Sequence, residues 1–369
     1  MKKNIFLWVA VFAVGAMSSC SVDKVVDQAE ARYIGFDPFA NKVTRATTTA
    51  QGLGHKNFSV FGRYDNGSSA FVTVFENKEV KWSNDINLND ENGSWEYTPL
   101  VPWVSGKNYQ FAAIAPYKAS GPDYNYNYNY GVDIRTAGTY SLGPITVDAT
   151  EANQIDYMTA TPINNHSSGT SPVSFDFNHI LSKIDFIFKP KTDNTDRKNT
   201  HWQSPVRIEI TKIELTDVPT TNTYATDAWG ELGKTSDGTN KTITTDFTDD
   251  NPSVTTSYDG SSTTKPTAKT FDWLVVPQGT TAGDITKTLT ITCDVYDNAT
   301  SDGTLLKGNA TASVGITTRW AKNTYYTYTV SIGSDILGEN PYITFDVASV
   351  KDWAPDTSNS LNVPTTTAP

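Results

Sequence analysis

Four oxygen-bearing side chains have the spacing of a calcium-binding loop. They stand at positions 1, 3, 5 and 12 of such a loop: Asp85, Asn87, Asn89 and Glu96. Position 6 of the loop needs glycine for a sharp turn, and this chain carries Asp90 there. A plain hairpin turn therefore explains the segment better than a metal site, with calcium binding as the alternative, and we predict neither a metal nor a cofactor.

The other reactive residue types form no catalytic pattern. None of the four histidines has a metal-ligand spacing to another: His55, His166, His179 and His201. Gly233-Lys234-Thr235 imitates the end of a phosphate-binding loop, but Ala228 stands where the first glycine is required. We name no catalytic residue and predict that the protein is not an enzyme. A secreted hydrolase would need acidic residues clustered in a cleft, which spacing alone does not decide.

The N-terminus has the order of a secretory signal. Lys2 and Lys3 precede an apolar run over residues 5–16, which is too short to span a membrane, and small residues then precede Cys20. We interpret residues 1–19 as a signal peptide. The small residues before Cys20 resemble the lipobox of bacterial lipoproteins, in which this cysteine becomes the acylated N-terminus; an ordinary cleaved signal is the alternative. Each buried acyl carbon would contribute about 0.8 kcal/mol to membrane attachment.

A second reactive position is a basic site in a polar, threonine-rich segment. A trypsin-like protease can cut such accessible backbone between Arg45 and Ala46. Upstream of this site, Ile34 and Phe36 lie on one face of a short extended segment, and Pro38 limits that segment to the edge of a sheet. Removing an edge strand leaves unpaired backbone groups and an apolar slot, which is a template for a strand of another chain. We therefore interpret residues 20–45 as a lipidated propeptide with a first strand, whose exchanged residues are Ile34 and Phe36.

The rest of the chain has the period of β-strands. Apolar residues alternate in short segments separated by Gly, Asn, Asp and Ser, and no amphipathic helix of three turns appears after the signal. Residues 57–62 and 70–75 predict a hairpin around Asp65-Asn66-Gly67-Ser68. Residues 235–269, rich in Thr, Ser, Asp and Gly, predict a long hairpin excursion or loop. We predict an all-β fold of two tandem antiparallel β-sandwich domains with short helical turns, over residues 46–170 and 171–369.

Two further features limit the class of protein. The net charge of −11 argues against nucleic acid and anionic lipid as partners. Cys293 alternates with the apolar Ile291 and Val295, which predicts a small buried core residue rather than a reactive thiol.

An ordered set of aromatic motifs runs along most of the chain. It comprises Trp95-Glu96-Tyr97, Pro102-Trp103, residues 109–116, residues 156–160, residues 173–184 and Trp353. This set resembles the fimbrillin family of Bacteroidetes, whose members are pilus subunits made as lipoprotein precursors. The resemblance implies transthyretin-like sandwich domains, and a structural role for His179 at a corner between strands.

The same resemblance implies a route to a fimbrium. A lipoprotein precursor in the outer membrane would be cut after Arg45 by an Arg-specific, gingipain-type protease. It would then join other fimbrial subunits by strand exchange in an extracellular fimbrium that supports adhesion and biofilm formation. After Trp353 only Leu361 and Val363 are plausible anchors of a donated strand. This weak donor favours a tip or accessory position over the stalk, unless residues 343–347 are released instead.

One alternative function belongs to a different class. An outer-membrane-anchored glycan-binding lipoprotein would keep its lipid on Cys20 and would not polymerise. The alternation of Tyr and Asn over residues 124–130 would present an exposed aromatic ladder if it were a strand. A flexible loop outside the core is the other interpretation of this repeat, and the one that low complexity favours.

Overall fold

The computed structural model shows an all-β protein. It describes residues 33–40, 57–67, 70–83, 94–119, 126–169, 172–190, 206–225, 228–229, 240–247, 253–256, 272–277, 285–297, 303–318, 320–332, 344–345 and 349–352. In this part of the chain the only helical element is one 3₁₀ turn, Glu151–Asn153, and no helix there could cross a membrane. The all-β prediction with short helical turns is confirmed. The signal peptide, Cys20, Arg45 and Ala46 lie outside the described residues.

The described strands are numbered in chain order. Those in the first half are β1 (Phe36–Ala40), β2 (Phe58–Asp65), β3 (Phe71–Trp82), β4 (Trp95–Glu96), β5 (Asn108–Ala115), β6 (Tyr126–Asn129), β7 (Thr139–Thr146), β8 (Met158–Ala160), β9 (Ile163–Ser167) and β10 (Val173–His179). Those in the second half are β11 (Ser182–Pro190), β12 (Val206–Pro219), β13 (Thr221–Ala225), β14 (Ala228–Trp229), β15 (Asn240–Asp246), β16 (Ser253–Thr256), β17 (Asp272–Val275), β18 (Ile285–Tyr296), β19 (Leu305–Thr318), β20 (Thr324–Ile332), β21 (Thr344–Phe345) and β22 (Ser349–Asp352).

The first sheet has the strand order β1-β10-β8-β5-β2-β3-β4, and β9 also pairs with β5. The predicted hairpin is confirmed, because β2 and β3 are antiparallel around a turn in which the carboxylate of Asp65 accepts the Gly67 amide at 2.7 Å. Gly67 has a φ of +83°, which glycine adopts without strain. Strand β1 runs parallel to β10, whereas the sequence predicted antiparallel pairing. Parallel pairing is possible here because the two strands are far apart in the chain.

Both faces of this sheet are covered. Along β5, Phe111 points into a core with β1 and β10, and the next residue, Ala112, points into a second core on the opposite face. A four-stranded sheet with the order β14-β13-β7-β6, which we call the covering sheet, contributes to that second core. Burial on both faces explains why β5 reads as a nearly continuous apolar run.

The tyrosine and asparagine repeat is a strand of this covering sheet. Over the described residues 126–130, Tyr128 is only 4% exposed and packs 6.1 Å from the ring of Phe61, whereas Asn127 and Asn129 are exposed. Burial raises the pKa of Tyr128 to about 12. The prediction of a loop outside the core was wrong, and the exposed ladder is not formed either, because the tyrosine face points inward and the asparagine face outward.

The second half forms a sandwich of two further sheets. One has the order β17-β11-β20-β21, with β22 also on β20, and the other has the order β15-β12-β18-β19, with β16 also on β12. Their shared core holds Phe186, Trp273 and Cys293, and Cys293 is fully buried as predicted. Burial raises the pKa of its thiol to about 12. Strands β15 and β16 lie inside the predicted excursion over residues 235–269, so part of that stretch belongs to a sheet.

Hydrogen bonds cross the predicted domain boundary at residues 170 and 171. Strand β10 pairs with β1 and β8, and β13 pairs with β7. A corner at residues 180–181 then connects β10 to β11, as the two apolar runs predicted. The division into two tandem domains stays a prediction, since the sheets combine strands from both sides of it.

Substitution of Gly62 tests how tightly the core that contains Phe75 and Phe111 is packed. A Cβ atom on Gly62 would lie 2.9 Å from ring atoms of both Phe75 and Phe111. Replacing Gly62 with alanine should therefore lower the free energy of unfolding by about 1–3 kcal/mol, measured by urea denaturation of the uncleaved protein. Gly35→Ala is the matched control, because its Cβ would meet nothing closer than the Cβ of Pro172 at 3.9 Å. Equal denaturation midpoints for the two variants would contradict the packing.

Candidate functional site

The segment before β2 contains β1 and lies between β10 and the chain that follows β4, at the other end of the first sheet. On one side, the Ile34 amide donates to the Val101 carbonyl at 2.9 Å, just after β4. On the other side, the Val173 amide donates to the Gly35 carbonyl at 2.8 Å, and β1 continues along β10 as far as Ala40. The segment over residues 33–40, which we call the plug strand, therefore closes the gap between β10 and the chain that follows β4.

Proline is accommodated in the plug strand by this arrangement. Pro38 pairs with Phe175 of β10. Neighbouring residues of a strand turn their backbone groups to opposite sides, and the backbone groups of Ile34 face away from β10. The nitrogen of Pro38, four residues later, faces the same way, so its missing N–H costs no hydrogen bond to β10. The edge position predicted from Pro38 is what the structure shows.

Tyr97 fixes the register of the plug strand. Its hydroxyl donates to the Ile34 carbonyl at 2.8 Å and accepts the Val101 amide at 3.2 Å. Tyr97 is 5% exposed, and burial raises the pKa of its hydroxyl. The hydroxyl therefore stays protonated at neutral pH and remains a donor for a strand carbonyl.

Phe36 occupies the centre of an aromatic slot. Its ring lies 5.4 to 6.5 Å from five other rings, centroid to centroid. These rings, with which it forms edge-on, tilted and stacked pairs, are Phe58, Phe75, Tyr97, Phe111 and Phe175. Ile34 is 1% exposed and Phe36 is 6% exposed in the same core. Each aromatic pair adds about 0.5–1.5 kcal/mol to the burial itself, so the plug strand is held mainly by these two side chains.

Loss of the plug strand would create a site for another strand. The Val101 carbonyl, the Val173 amide and the Tyr97 hydroxyl would all lose a hydrogen-bond partner, and the slot would expose aromatic surface. Such a row of unpaired groups beside an apolar slot binds an extended segment by backbone hydrogen bonds and alternate side chains.

The predicted site residues are distributed as follows. The structure brings Ile34 and Phe36 together in one slot, whereas Cys20, Arg45, Ala46 and most of the calcium-like loop lie outside the described residues. Glu96 belongs to β4 and its carboxylate accepts the Ser94 hydroxyl at 2.9 Å. No cluster of metal-ligating side chains occurs within the described ranges.

The described histidines have structural surroundings. His179 Nδ1 lies 2.9 Å from Asp156 Oδ1 at the corner after β10, in agreement with its predicted role. His166 stacks on Trp103 with ring centroids 5.6 Å apart.

Sequence reasoning missed the residues that form the slot. Tyr97, Phe111 and Phe175 were noted as parts of motifs, and nothing in their spacing indicated that they surround one side chain. The available signal was the density of aromatic residues at alternate positions of several strands, because aromatic residues on the same face of neighbouring strands must meet.

A cavity of about 630 Å³ lies elsewhere, between the covering sheet, β10 and the turn before β20. Its polar lining includes Asn178, His179, Tyr224, Lys322 and Asn323. Lys322 Nζ donates to the Tyr224 hydroxyl at 3.3 Å, and Asn323 Nδ2 donates to Asn178 Oδ1 at 3.4 Å. The other amide atom of Asn323, Oδ1, is buried and has no hydrogen-bond partner among the described residues.

Truncation of Phe36 tests the slot. Phe36→Ala removes the ring that contacts five others, so we expect the free energy of unfolding of the uncleaved protein to fall by about 3–5 kcal/mol. Val72→Ala is the control, since Val72 is a strand residue of the same sheet that is 36% exposed, and its loss should change stability by less than about 0.5 kcal/mol. Thermal and urea unfolding of both variants provide the measurement. A Phe36→Ala protein as stable as Val72→Ala would show that the slot does not hold the plug strand.

Comparison with known proteins identifies a matching family and solved structures that are similar to this chain. A family model described as Fimbrillin-like matches residues 44–353. The crystal structure of a fimbrial protein from Bacteroides vulgatus has the same fold, with a TM-score of 0.55 at 20% identity, over 88% of this chain and 100% of that chain. That of a fimbrilin from Porphyromonas gingivalis matches with a TM-score of 0.40 at 12% identity, over 87% of this chain and 97% of that chain. No curated protein matches the chain.

The family match covers most of the chain and includes every strand described here except β1. It agrees with the resemblance drawn from the aromatic motifs. The chain belongs to the fimbrillin-like family.

Proposed function

We propose that this chain is a subunit of a cell-surface fimbrium that is exported as a lipoprotein precursor and polymerises by strand exchange. The observation that carries this proposal is the plug strand. It lies at a sheet edge, it fills an aromatic slot with Ile34 and Phe36, and it precedes the rest of the fold in the chain. A segment with these properties can be removed without breaking the chain of the remaining strands.

The propeptide prevents polymerisation before the protein reaches the cell surface in this mechanism. Lipid on Cys20 holds the precursor at the outer membrane, and the plug strand blocks the slot until the surface is reached. An Arg-specific, gingipain-type protease then cuts after Arg45, between β1 and β2. After the cut only non-covalent contacts retain the plug strand, so a strand from another subunit can displace it.

Strand replacement would conserve most interactions of the folded protein. The incoming strand restores the hydrogen bonds to Val101, Val173 and Tyr97 and refills the slot, so the exchange exposes little apolar surface at its end point. Because the incoming strand belongs to another subunit, the same contacts now join two molecules. Adhesion and biofilm formation follow from the resulting surface fibre.

The position in the fimbrium depends on the strand that this chain donates. The tail after Trp353 offers only Leu361 and Val363 as apolar anchors, which favours a tip or accessory position. Donation of residues 343–347 instead would place the subunit in the stalk.

Replacing Arg45 tests the processing step. We expect Arg45→Ala to accumulate as an uncut, monomeric lipoprotein, because the plug strand stays covalently attached to β2. N-terminal sequencing and size-exclusion chromatography of protein recovered from cells provide the measurement. Arg32→Ala is the matched control, since it removes the arginine on the other side of the plug strand and should leave a processed protein that starts at Ala46. Normal incorporation of Arg45→Ala into fibres would refute the mechanism.

The cavity beside β10 supports a second function, the binding of a sugar. Lys322 supplies a positive charge, Asn178 and Asn323 supply amide groups, and Tyr224 supplies a hydroxyl on an aromatic ring. Such a combination suits an acidic monosaccharide, whose carboxylate would meet the lysine and whose hydroxyls would meet the amides. This site would replace the tyrosine ladder as the basis of a glycan-binding lipoprotein.

Titration with glucuronate tests the second function. We expect glucuronate to bind more tightly than methyl glucoside in isothermal titration calorimetry, and Lys322→Met to weaken glucuronate binding by roughly 10-fold or more, because a charge-assisted hydrogen bond contributes about 1.5–3 kcal/mol. Lys118→Met is the control, since Lys118 makes an equivalent bond to the Tyr157 hydroxyl at 2.7 Å outside the cavity lining. Absence of glucuronate binding to the unmodified protein would exclude this function.

A further inference from the structure

We propose that β19 is a lateral contact surface, and that it pairs in antiparallel orientation with β19 of a second copy of this chain in a neighbouring fimbrium. The contact itself does not need strand exchange. Its role in joining fibres side by side rests on the proposed function, because only a fibre presents many such edges in line.

Strand β19 forms one end of its sheet. The strand order β15-β12-β18-β19 ends there, and among the described strands β19 pairs only with β18. The opposite end of the sheet is covered, since the Thr244 amide of β15 donates to the Ala149 carbonyl at 3.3 Å. With 14 residues, β19 is also long for a strand at an edge. It therefore presents a long row of backbone groups on the side away from β18.

The direction of these backbone groups follows from the other neighbour of β18. On that side, the Thr211 hydroxyl of β12 donates to the Thr292 carbonyl at 3.2 Å. The Thr216 hydroxyl donates to the Thr288 carbonyl in the same way, at 3.3 Å. These carbonyls point away from β19, so the β19 residues opposite them belong to non-hydrogen-bonded pairs and turn their own N–H and C=O groups away from β18. With the alternation along the strand, the residues whose backbone groups face outward are Thr311, Ser313, Gly315 and Thr317.

The open edge is regular and uncharged. The register between β18 and β19 runs without a shift from Ile285 opposite Thr318 to Cys293 opposite Ala310. Residues 308–318 contain no charged side chain and no proline, in a chain whose net charge is −11. Within the described ranges, no hydrogen bond reaches the outward backbone groups of this stretch. A straight, uncharged edge with unpaired backbone groups is a template for another strand.

Another long edge of the molecule is protected in ways that β19 is not. Strand β3 has 12 residues, and its outer neighbour β4 pairs only with its last two. The open part of β3 carries Glu76, Lys78 and Glu79, and Asn77 has a φ of +48°, which interrupts the extended backbone. Charged side chains and irregular backbone are the devices by which proteins prevent pairing at sheet edges. Their absence from β19 indicates that pairing at this edge is not prevented.

A second copy of β19 fits this edge because antiparallel pairing of a strand with itself is symmetric. A twofold axis at Val314 would place Thr311 opposite Thr317 of the second copy, and Ser313 opposite Gly315. All four outward residues are then used, and each pair exchanges two hydrogen bonds. The exposed side chains of Thr311 and Ser313 are small, and Gly315 has none, so the two backbones can approach each other. This register also keeps buried faces together, since Ala312 would lie opposite Ile316.

One contact of this kind is weak, and a fibre multiplies it. A single pair of edge strands is smaller than a stable interface, which buries about 1,200–2,000 Å², and two copies with a net charge of −11 repel each other. The uncut precursor should therefore remain monomeric at low concentration. Two fibres bring many edges together, so that weak contacts act jointly. Salt should strengthen the association, because it screens the repulsion and leaves hydrogen bonds between uncharged groups in place.

Proline at Ser313 tests the contact. The Ser313 N–H faces outward, so Ser313→Pro keeps the ladder to β18 but removes a donor and places a ring against the second copy. Ser313→Ala is the matched control, since both variants lose the hydroxyl bond to Thr290 at 2.9 Å and only the proline loses the N–H. Sedimentation velocity of the uncut protein at millimolar concentration should show dimers of wild type and Ser313→Ala, and association roughly 10-fold weaker for Ser313→Pro. Equal association of the two variants, or no dimer of wild type, would overturn the proposal.

An exchange of charges tests the same arrangement without proline. Ser313→Lys and Ser313→Glu each place like charges near one another across the twofold axis, so fibres of either variant should lie singly in electron micrographs. A mixture of the two fibre preparations should form bundles again, because opposite charges then meet across the strands. Bundling of either variant alone to the extent of wild type would contradict the contact.

The lateral contact and strand exchange fail separately in these experiments. If cut wild-type protein forms no fibre, strand exchange fails, and sedimentation of the uncut protein still decides the contact through β19. If fibres form and Ser313→Pro leaves their bundling unchanged, only the lateral contact fails. Weaker association at about 500 mM than at about 50 mM salt would also overturn it, because that dependence indicates ion pairs rather than an uncharged edge.

Discussion

The structure depends on the burial of one aromatic side chain between the two ends of a sheet. Phe36 contacts rings from β2, β3, β5 and β10 and the ring of Tyr97 beyond β4. These strands lie on both sides of the gap that the plug strand closes. Since the plug strand is the first described element of the chain, the core of the first sheet is completed by a segment that can be separated from it by a single cut. The contact that stabilises the first sheet is therefore the one that the proposed strand exchange would replace.

The sheets connect this slot to the far end of the molecule. Strand β10 forms one wall of the slot, turns the corner at residues 180–181 and continues as β11, which is parallel to β20. Strand β20 in turn pairs with β21 and β22. The corner is fixed by the Trp229 indole, which donates to the Ile180 carbonyl at 2.6 Å, and by the bond between His179 and Asp156. The slot is therefore joined to the sheets of the second half by hydrogen-bonded strands.

The covering sheet has a different role in this arrangement. Its strands β6 and β7 come before the corner and its strands β13 and β14 come after it, so it packs both halves of the chain around one core. The inward tyrosines of β6 belong to that core, which removes them as candidates for surface recognition. The net charge of −11 and the buried Cys293 thiol agree with a cell-surface protein whose stability comes from core packing and sheet pairing.

The sequence by itself determined the class of fold and that Ile34 and Phe36 lie on one face of the first strand. Alternation with period 2 specifies strands and their buried faces locally, so the β2–β3 hairpin, the corner before β11, the buried Cys293 and the shared face of Ile34 and Phe36 were all predictable. Only the tertiary structure decided which strands are neighbours, because pairing depends on the packing of distant segments and not on local spacing. It therefore decided that β1 is parallel to β10, that the tyrosine face of β6 points inward, and that five separate aromatic residues surround Phe36.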